Sequence, residues 1–184
     1  MKWDDGVMKW IEVSGLAPST SIPHGAMQLP ALNAELTLDP KGRVMLPRQL
    51  RNELEREGIN GLVAFANGGP KGGLALYTIP EFNKMAAQYQ GGDPMDPKAR
   101  LFALAVRSTA QTVTVDGAGR MLIPKELRKL LGLERGLYLF TAGGWFEVWD
   151  IERWEAQAYP QAAEMWDQLF GFGALQPGSV PAED

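Results

Sequence analysis

Short apolar segments separated by turn-forming residues run through the middle of the chain. Residues 36–38 and 113–115 alternate apolar and polar positions, which is typical of strands with one buried face. An Asp-Pro-Lys-Gly turn follows the first of them, and a looser Asp-Gly-Ala-Gly turn follows the second. The pattern therefore predicts two similar sets of short strands. The remaining predicted strands are 44–46, 62–66, 74–77, 121–123, 138–141 and 146–149.

Leucines at helical spacing follow the second strand of each set. Leu50 and Leu54 are four residues apart and share one helix face. In the later segment Leu127, Leu130 and Leu131 are predicted to face inward. A proline begins each of these helices, where its missing N–H costs nothing, and glycine ends each one. The corresponding residues are Pro47, Gly58, Pro124 and Gly132, and further helices are predicted after Thr78, Asp96 and Pro160 and near residues 3–11.

One motif occurs twice in the chain. Residues 38–54 are LDPKGRVMLPRQLRNEL and residues 115–131 are VDGAGRMLIPKELRKLL, with Asp, Gly, Arg, Pro, Leu and Arg at identical spacing. The likeness continues downstream, where LALYTIPEF at 74–82 matches FEVWDIERW at 146–154. Because separate stretches recur in the same order, the chain contains an internal duplication. A unit of roughly 60 residues is marginally stable alone, so the two copies are predicted to share one small barrel.

Composition excludes several classes of protein. The 184-residue chain has no cysteine and one histidine, His24, which excludes disulfide frameworks, thiolate metal sites and most catalytic triads. Acidic residues near the N-terminus, Asp4 and Asp5, argue against a signal peptide, and no apolar run reaches the length of a membrane span. We therefore expect a cytoplasmic protein without a metal, a cofactor, a small-molecule substrate or a membrane partner.

Positive charge is concentrated in the two copies of the motif. The net charge is −4, yet segments 39–56 and 116–135 each hold five basic and three acidic residues. Each segment is therefore +2 and the rest of the chain is −8. Local basic surfaces favour binding to nucleic acid, whereas an acidic remainder argues mildly against it.

Catalytic interpretations of the motif are weak. Asp39 and Asp116 are common first residues of tight turns, and neither has a histidine or second carboxylate at a useful spacing. Lys71 lies in a glycine-rich segment that lacks the spacing of a phosphate-binding loop. Arg43 and Arg120 allow two interpretations, since they could bridge the aspartates of their own turns or contact DNA. Recurrence of a basic helix beside each arginine favours the second reading, and no enzymatic activity is expected.

DPKGRVMLPRQLR and DGAGRMLIPKELR together resemble the paired motif of the MraZ family, within the AbrB-like group of swapped-barrel DNA-binding proteins. The resemblance covers about residues 35–155. It implies an α+β fold: a small double-split β-barrel made of two tandem pseudo-symmetric AbrB/MraZ-like repeats, with helices flanking the barrel. The predicted divisions are an N-terminal extension and linker (1–33), a first repeat (34–90), a connecting helix with the second repeat (91–155), and a C-terminal helix and tail (156–184).

The resemblance also implies a function. Members of this family are sequence-specific transcriptional regulators that bind short direct repeats upstream of a division and cell-wall gene cluster, form rings of subunits and associate with the nucleoid. Double-stranded DNA and further copies of the chain are therefore the implied partners. An AbrB-type antitoxin-like regulator is one alternative. An oligomeric protein-interaction scaffold that has lost DNA binding is another.

The resemblance implies roles for particular residues. Arg43 and Arg120 are the implied base or phosphate contacts, while the aspartates and glycines of the two turns shape them. The turn residues are Asp39, Gly42, Asp116 and Gly119, and the residues that widen the basic surface are Lys41, Arg48, Arg51, Lys125, Arg128 and Lys129. Lys125, Arg128 and Lys129 are expected to stay in water. The second turn has Ala118 where the first has Lys41, so the first turn is expected to hold DNA more tightly.

Overall fold

The computed structural model describes residues 31–68, 72–90 and 97–170. The short helix predicted near residues 3–11, the loop around Lys71 and the predicted C-terminal tail (173–184) lie outside these residues. The strands are β1 (Asn33–Thr37), β2 (Arg43–Met45), β3 (Gly61–Asn67), β4 (Gly73–Thr78), β5 (Gln111–Thr114), β6 (Arg120–Leu122), β7 (Gly136–Thr141) and β8 (Phe146–Asp150). The helices are α1 (Arg48–Arg56), α2 (Ile79–Gln90), α3 (Pro97–Thr109), α4 (Lys125–Leu131), α5 (Ile151–Arg153) and α6 (Tyr159–Phe170), with a π-helical turn at Trp154–Ala158.

The helix that follows each motif forms as the leucine spacing predicts. Leu50 and Leu54 of α1 are buried, as are Leu127 and Leu131 of α4. The predicted stops are confirmed, because the glycines after both helices have left-handed φ angles of 67° and 59°. One prediction is wrong: Leu130 is on the exposed side of α4. Leu127 and Leu131, four residues apart, already fill the side of the helix that faces the core.

The strands form a six-stranded antiparallel sheet in the order β1-β7-β8-β4-β3-β5 and a separate two-stranded ribbon of β2 and β6. The mixed helix and sheet composition agrees with the α+β prediction. Strands from the two halves of the chain exchange partners: β1 pairs with β7, and β5 pairs with β3. Neither half therefore completes its sheet without the other.

Two strand registers place a residue opposite its own counterpart in the sequence match. In the ribbon, Val44 lies opposite Met121, its counterpart in the other copy of the motif. In the large sheet, Ala75 lies opposite Glu147, which is also its counterpart in the sequence match. The correspondence between the halves therefore extends from the sequence to two separate strand pairings.

Two isolated bridges link the ribbon to the edges of the large sheet. Leu38, just after β1, bridges to Val44, and Val115, just after β5, bridges to Met121. The side chains of Val44 and Met121 are buried in the core, together with leucines of β3, β4, β7 and both motif helices. One face of the ribbon therefore packs on the core, and the opposite face is free to meet a partner.

The remaining helices cover the sheet from the outside. Thr78 caps α2 through its Oγ1, which accepts from the backbone N–H of Glu81 at 3.4 Å, and the helix predicted after Thr78 is confirmed. α3 packs on α2 and β3. At the equivalent point of the second half, Asp150 accepts from the backbone N–H of Arg153 at the start of α5. No helix in the described part of the chain is both long and apolar enough to cross a bilayer.

Tryptophans pack on neighbouring aromatic rings of the sheet strands. Trp145 stacks on Tyr77 with ring centroids 5.4 Å apart, and Trp154 lies 4.5 Å from Phe140. All these rings are partly buried. These tryptophans therefore make packing contacts within the fold.

Candidate nucleic-acid interface

The first motif turn is held by its aspartate. Asp39 Oδ1 accepts from the backbone N–H groups of Lys41 at 2.8 Å and Arg43 at 2.9 Å. Its other oxygen accepts from Arg43 Nε at 2.8 Å and Nη2 at 2.7 Å. The backbone closes the turn, since the Gly42 N–H donates to the Asp39 carbonyl at 2.8 Å. One side chain thus fixes both the turn and the direction of the arginine that follows it.

The second turn has the same construction. Asp116 Oδ1 accepts from the backbone N–H groups of Ala118 and Arg120, both at 2.9 Å, and Oδ2 accepts from Arg120 Nε at 2.9 Å. Gly119 donates to the Asp116 carbonyl at 2.8 Å. Both motif arginines therefore bridge the aspartate of their own turn. This contact leaves each arginine side chain about a third or more exposed, at 32% for Arg43 and 41% for Arg120.

The same contacts change the acidity of the aspartates. The backbone N–H of Arg43, followed by its side chain, holds the pKa of Asp39 below its ordinary value of 3.8. For Asp116 the backbone N–H of Arg120 is the main cause of a lowered pKa, opposed by partial burial. Both carboxylates are therefore charged at neutral pH and available as acceptors.

Each turn is packed against the helix of the other half. The φ angles of Gly42 and Gly119 are +85° and +80°. A Cβ added at Gly42 would lie 2.5 Å from Cζ of Arg128 in α4, and one at Gly119 would collide with the side chain of Arg51 in α1. The left-handed backbone requires glycine at both positions, and an added Cβ would also displace the arginine that crosses each turn.

The crossing arginines are less exposed than predicted. Arg128 is partly buried, and its Nε donates to the carbonyl of Ile123 at 3.0 Å. The expectation that Arg128 stays in water is therefore wrong, because the arginine lies over the glycine of the opposite turn. Arg51 is also partly buried, and its buried Nε has no hydrogen-bond partner among the described residues.

The outer face of the ribbon carries both motif arginines. Because side chains alternate along a strand, Arg43 and Met45 point away from the core, as do Arg120 and Leu122. The antiparallel register sets Arg43 opposite Leu122 and Met45 opposite Arg120. We call these four side chains the ribbon face. Sequence reasoning found its arginines but missed Met45 and Leu122, although alternation from Arg43 and Arg120 would have indicated them.

The exposed lysines fall unequally at the two ends of the ribbon. The N–H of Ile123 donates to the Gly42 carbonyl, so the first turn meets the start of α4, and Lys41 and Lys125 share that end. The other end has Arg48 of α1 beside the second turn, which carries Ala118 in place of a lysine. Lys129 is exposed one helical turn beyond Lys125, about 6 Å along the axis.

The described residues offer no candidate metal-binding site. Within the ranges that the structure describes, no three His, Asp or Glu side chains are grouped so that they could hold an ion. The chemistry that this surface offers is that of cationic hydrogen-bond donors held in place by carboxylates, with apolar side chains between them.

Comparison with known proteins identifies relatives that match most of the chain. A protein of Solidesulfovibrio magneticus, named transcriptional regulator MraZ, is 37% identical over 127 residues, which cover 69% of this chain and 83% of the relative. The chain belongs to the MraZ family. A second relative with that name, from Methylobacillus flagellatus, is 30% identical over 141 residues, covering 74% of this chain and 94% of its own length. The model of the family described as "MraZ protein, putative antitoxin-like" matches residues 107–168.

The family match confirms the resemblance drawn from the paired motif. A third MraZ relative, from Nitrosomonas eutropha, is 31% identical over 125 residues that cover 68% of this chain and 83% of the relative. The match of the MraZ family model begins at Arg107, near the end of α3, and includes the second turn, α4 and most of α6.

Proposed function

We propose that this protein is a sequence-specific regulator of transcription that binds double-stranded DNA through the ribbon face. The observation that carries the proposal is the pair of arginines on one exposed antiparallel ribbon, each held by an aspartate and flanked by free basic side chains. The relatives' name, transcriptional regulator MraZ, supports the same conclusion.

A two-stranded ribbon has the right dimensions for this role. The major groove of B-DNA is about 12 Å wide and admits two antiparallel strands, whose outward side chains then meet base edges. Arginine suits guanine because its planar group donates two hydrogen bonds to O6 and N7. Asp39 and Asp116 fix the side chains of Arg43 and Arg120 before DNA arrives, which lowers the entropy lost on binding.

The basic residues beside the ribbon would contact phosphates. Lys41, Arg48 and Lys125 are exposed at its two ends, and Lys129 extends the surface along α4. Arg48 and Lys125 occupy the first turns of helices, where positive charge is slightly unfavourable by a few tenths of a kcal/mol. A bound phosphate would relieve this repulsion. Arg51 and Arg128 act instead by bracing the opposite turns.

The fold follows as an interpretation of the strand order. The bridges from Val44 and Met121 connect the ribbon to the two edge strands of the large sheet, β1 and β5. The strands are thereby closed into a ring. We interpret this ring as a double-split β-barrel of two tandem repeats, 34–90 and 91–155. Residues 1–33 and 156–184 would then be additions to the barrel.

Several copies would act together on DNA. One good base contact supplies only about 1–3 kcal/mol of discrimination, so a single chain with two arginines would bind weakly. A ring of subunits on short direct repeats gains affinity from simultaneous contacts. The exposed side chains of Leu101 and Leu104 on α3, at 66% and 52%, offer an apolar surface for contact between copies. On this proposal the protein is cytoplasmic, associates with the nucleoid, and binds upstream of a division and cell-wall gene cluster.

The test is a titration of the DNA upstream of the protein's own gene, followed by fluorescence anisotropy at several salt concentrations. Wild type should bind this DNA far more tightly than scrambled DNA, and affinity should fall steeply with salt. Arg43→Ala/Arg120→Ala should abolish the preference for the native sequence.

The matched control for this test is Arg100→Ala/Arg107→Ala, which removes the same charge from exposed positions of α3. Urea denaturation of both double variants separates lost contacts from lost folding. Equal, weak binding of wild type and the ribbon variant to both DNAs would overturn the regulator proposal and leave the protein-interaction scaffold.

An antitoxin-like regulator is the second candidate, since the description of the matching family includes the words "putative antitoxin-like". Such a protein would also bind DNA, but it would in addition bind a toxin protein. Co-purification of a specific partner encoded beside its gene would favour this candidate over the first.

A further inference from the structure

The ribbon face has an unusual composition for an exposed β surface. Met45 and Leu122 are 49% and 52% exposed, whereas their strand neighbours Val44 and Met121 are 1% and 0% exposed. On an antiparallel sheet with one face in water, outward positions are normally polar. Here one large apolar side chain occupies an outward position on each of the two strands.

These apolar side chains lie in the middle of a cationic surface. Arg120 is the cross-strand neighbour of Met45, and Arg43 is the neighbour of Leu122. Lys41 and Arg48 are exposed just before and after β2. A negatively charged partner would complement such a surface, and one that also offers apolar groups would cover Met45 and Leu122.

The major groove of DNA provides both features, since phosphates and guanine edges lie close to the C5-methyl groups of thymine. We propose that Met45 and Leu122 are specificity-determining residues that contact thymine methyl groups in the major groove, between the guanines contacted by the two arginines. This inference rests on the proposed function, because it requires that the ribbon face enters DNA.

The spacing of the ribbon fits this assignment. Residues two apart on a strand are separated by roughly 6.6 Å, and directly opposite residues by about 4.5–5.5 Å. Met45 and Leu122 are diagonal neighbours, about 7–8 Å apart at their Cα atoms. Two base-pair steps span about 6.8 Å, at roughly 3.4 Å per step. The preferred site therefore contains two thymines about two steps apart, each beside a guanine.

The experiment first selects binding sequences from a random DNA pool with the full-length protein. Each thymine of the selected duplex is then replaced singly by uracil, which lacks only the C5-methyl group. Burial of one methyl group corresponds to about a fourfold change in affinity. Wild type should show this loss at two positions about two steps apart and no loss at other thymines.

The variants assign each methyl group to a residue. Met45→Ala should make one of these positions insensitive to uracil while the other keeps its fourfold effect, and Leu122→Ala should do the reverse. The matched control is Ile79→Ala, an equally exposed apolar residue (47%) at the start of α2, outside the ribbon. It should bind and discriminate as wild type does.

The outcomes separate the two proposals. A pool that yields no preferred sequence would overturn the proposed function and this inference with it. A preferred sequence whose affinity is indifferent to uracil, or whose uracil pattern is unchanged in both alanine variants, would overturn only the inference. Variants that change the sedimentation of the protein, with an unchanged uracil pattern, would assign Met45 and Leu122 to contact between copies instead.

Discussion

The two motif turns share one backbone geometry but differ in their side chains. Asp39 and Asp116 make the same hydrogen bonds at nearly the same distances. The third residue of the turn is Lys41 in the first and Ala118 in the second. Only the backbone N–H of this residue takes part in the hydrogen bonds of the turn, so its side chain can vary without altering the fold. Structural symmetry therefore does not impose equal binding by the two ends of the ribbon.

The largest expected effects are on stability, and the left-handed backbone imposes them on both turns. Gly42→Ala and Gly119→Ala each force a Cβ into a left-handed backbone and against an arginine, which should cost about 1–2 kcal/mol or more. Urea denaturation measures this loss. Gly117→Ala is the matched control, because its added Cβ meets nothing within 4 Å. Unequal losses at Gly42 and Gly119 would show that the turns are not mechanically equivalent.

The arginines that cross the two turns, Arg128 and Arg51, should contribute unequally to stability. Arg128 Nε donates to the Ile123 carbonyl, whereas Arg51 Nε has no partner among the described residues. Arg128→Met should therefore cost about 0.5–1.5 kcal/mol more stability than Arg51→Met, since only the former loses a hydrogen bond. Thermal and urea unfolding of the two variants give the comparison. Equal losses would show that packing over the glycine matters more than the hydrogen bond.

Exchange of the variable turn residue should alter DNA binding without changing stability. The slope of log affinity against log salt is negative, and Lys41→Ala should reduce its magnitude by about 0.9, the value for one phosphate contact. Ala118→Lys should increase its magnitude by a similar amount. Anisotropy titrations at several salt concentrations measure both slopes. Lys84→Ala, which removes a lysine paired with Glu81 on α2, should leave the slope unchanged. An unchanged slope in both turn variants would show that the third residue of the turn does not contact DNA phosphates.

The smallest expected effect is the acid dependence of stability. The pKa values of Asp39 and Asp116 lie below their ordinary value of 3.8, so both aspartates stabilise the folded protein when charged. This contribution is complete above that value and is lost as the pH falls through the lower folded pKa. Asp39→Asn and Asp116→Asn should each flatten the fall of stability below pH 4. An unchanged acid profile would mean that other carboxyl groups dominate acid unfolding.

Much of the local structure was predictable because it depends on neighbours in sequence. Asp39 reaches Lys41 and Arg43 within five residues, so the turn can be recognised from its letters alone. Leu50 and Leu54 bury one face of α1 by helical spacing. Two predictions of exposure were wrong because local spacing did not decide them. Leu130 lies on the exposed side of α4, and the burial of Arg128 depends on which turn lies opposite that helix.

The amino-acid sequence alone determined the duplicated motif, the strands and helices around it, and the concentration of positive charge there. Only the tertiary structure decided which surfaces these elements share. The pairing of β2 with β6 brings together residues 77 positions apart, sets Arg43 beside Leu122, and unites Lys41 with Lys125 at one end of the ribbon. Such contacts depend on the exchange of strands between the halves, and their distance along the chain leaves no local pattern from which they could be inferred.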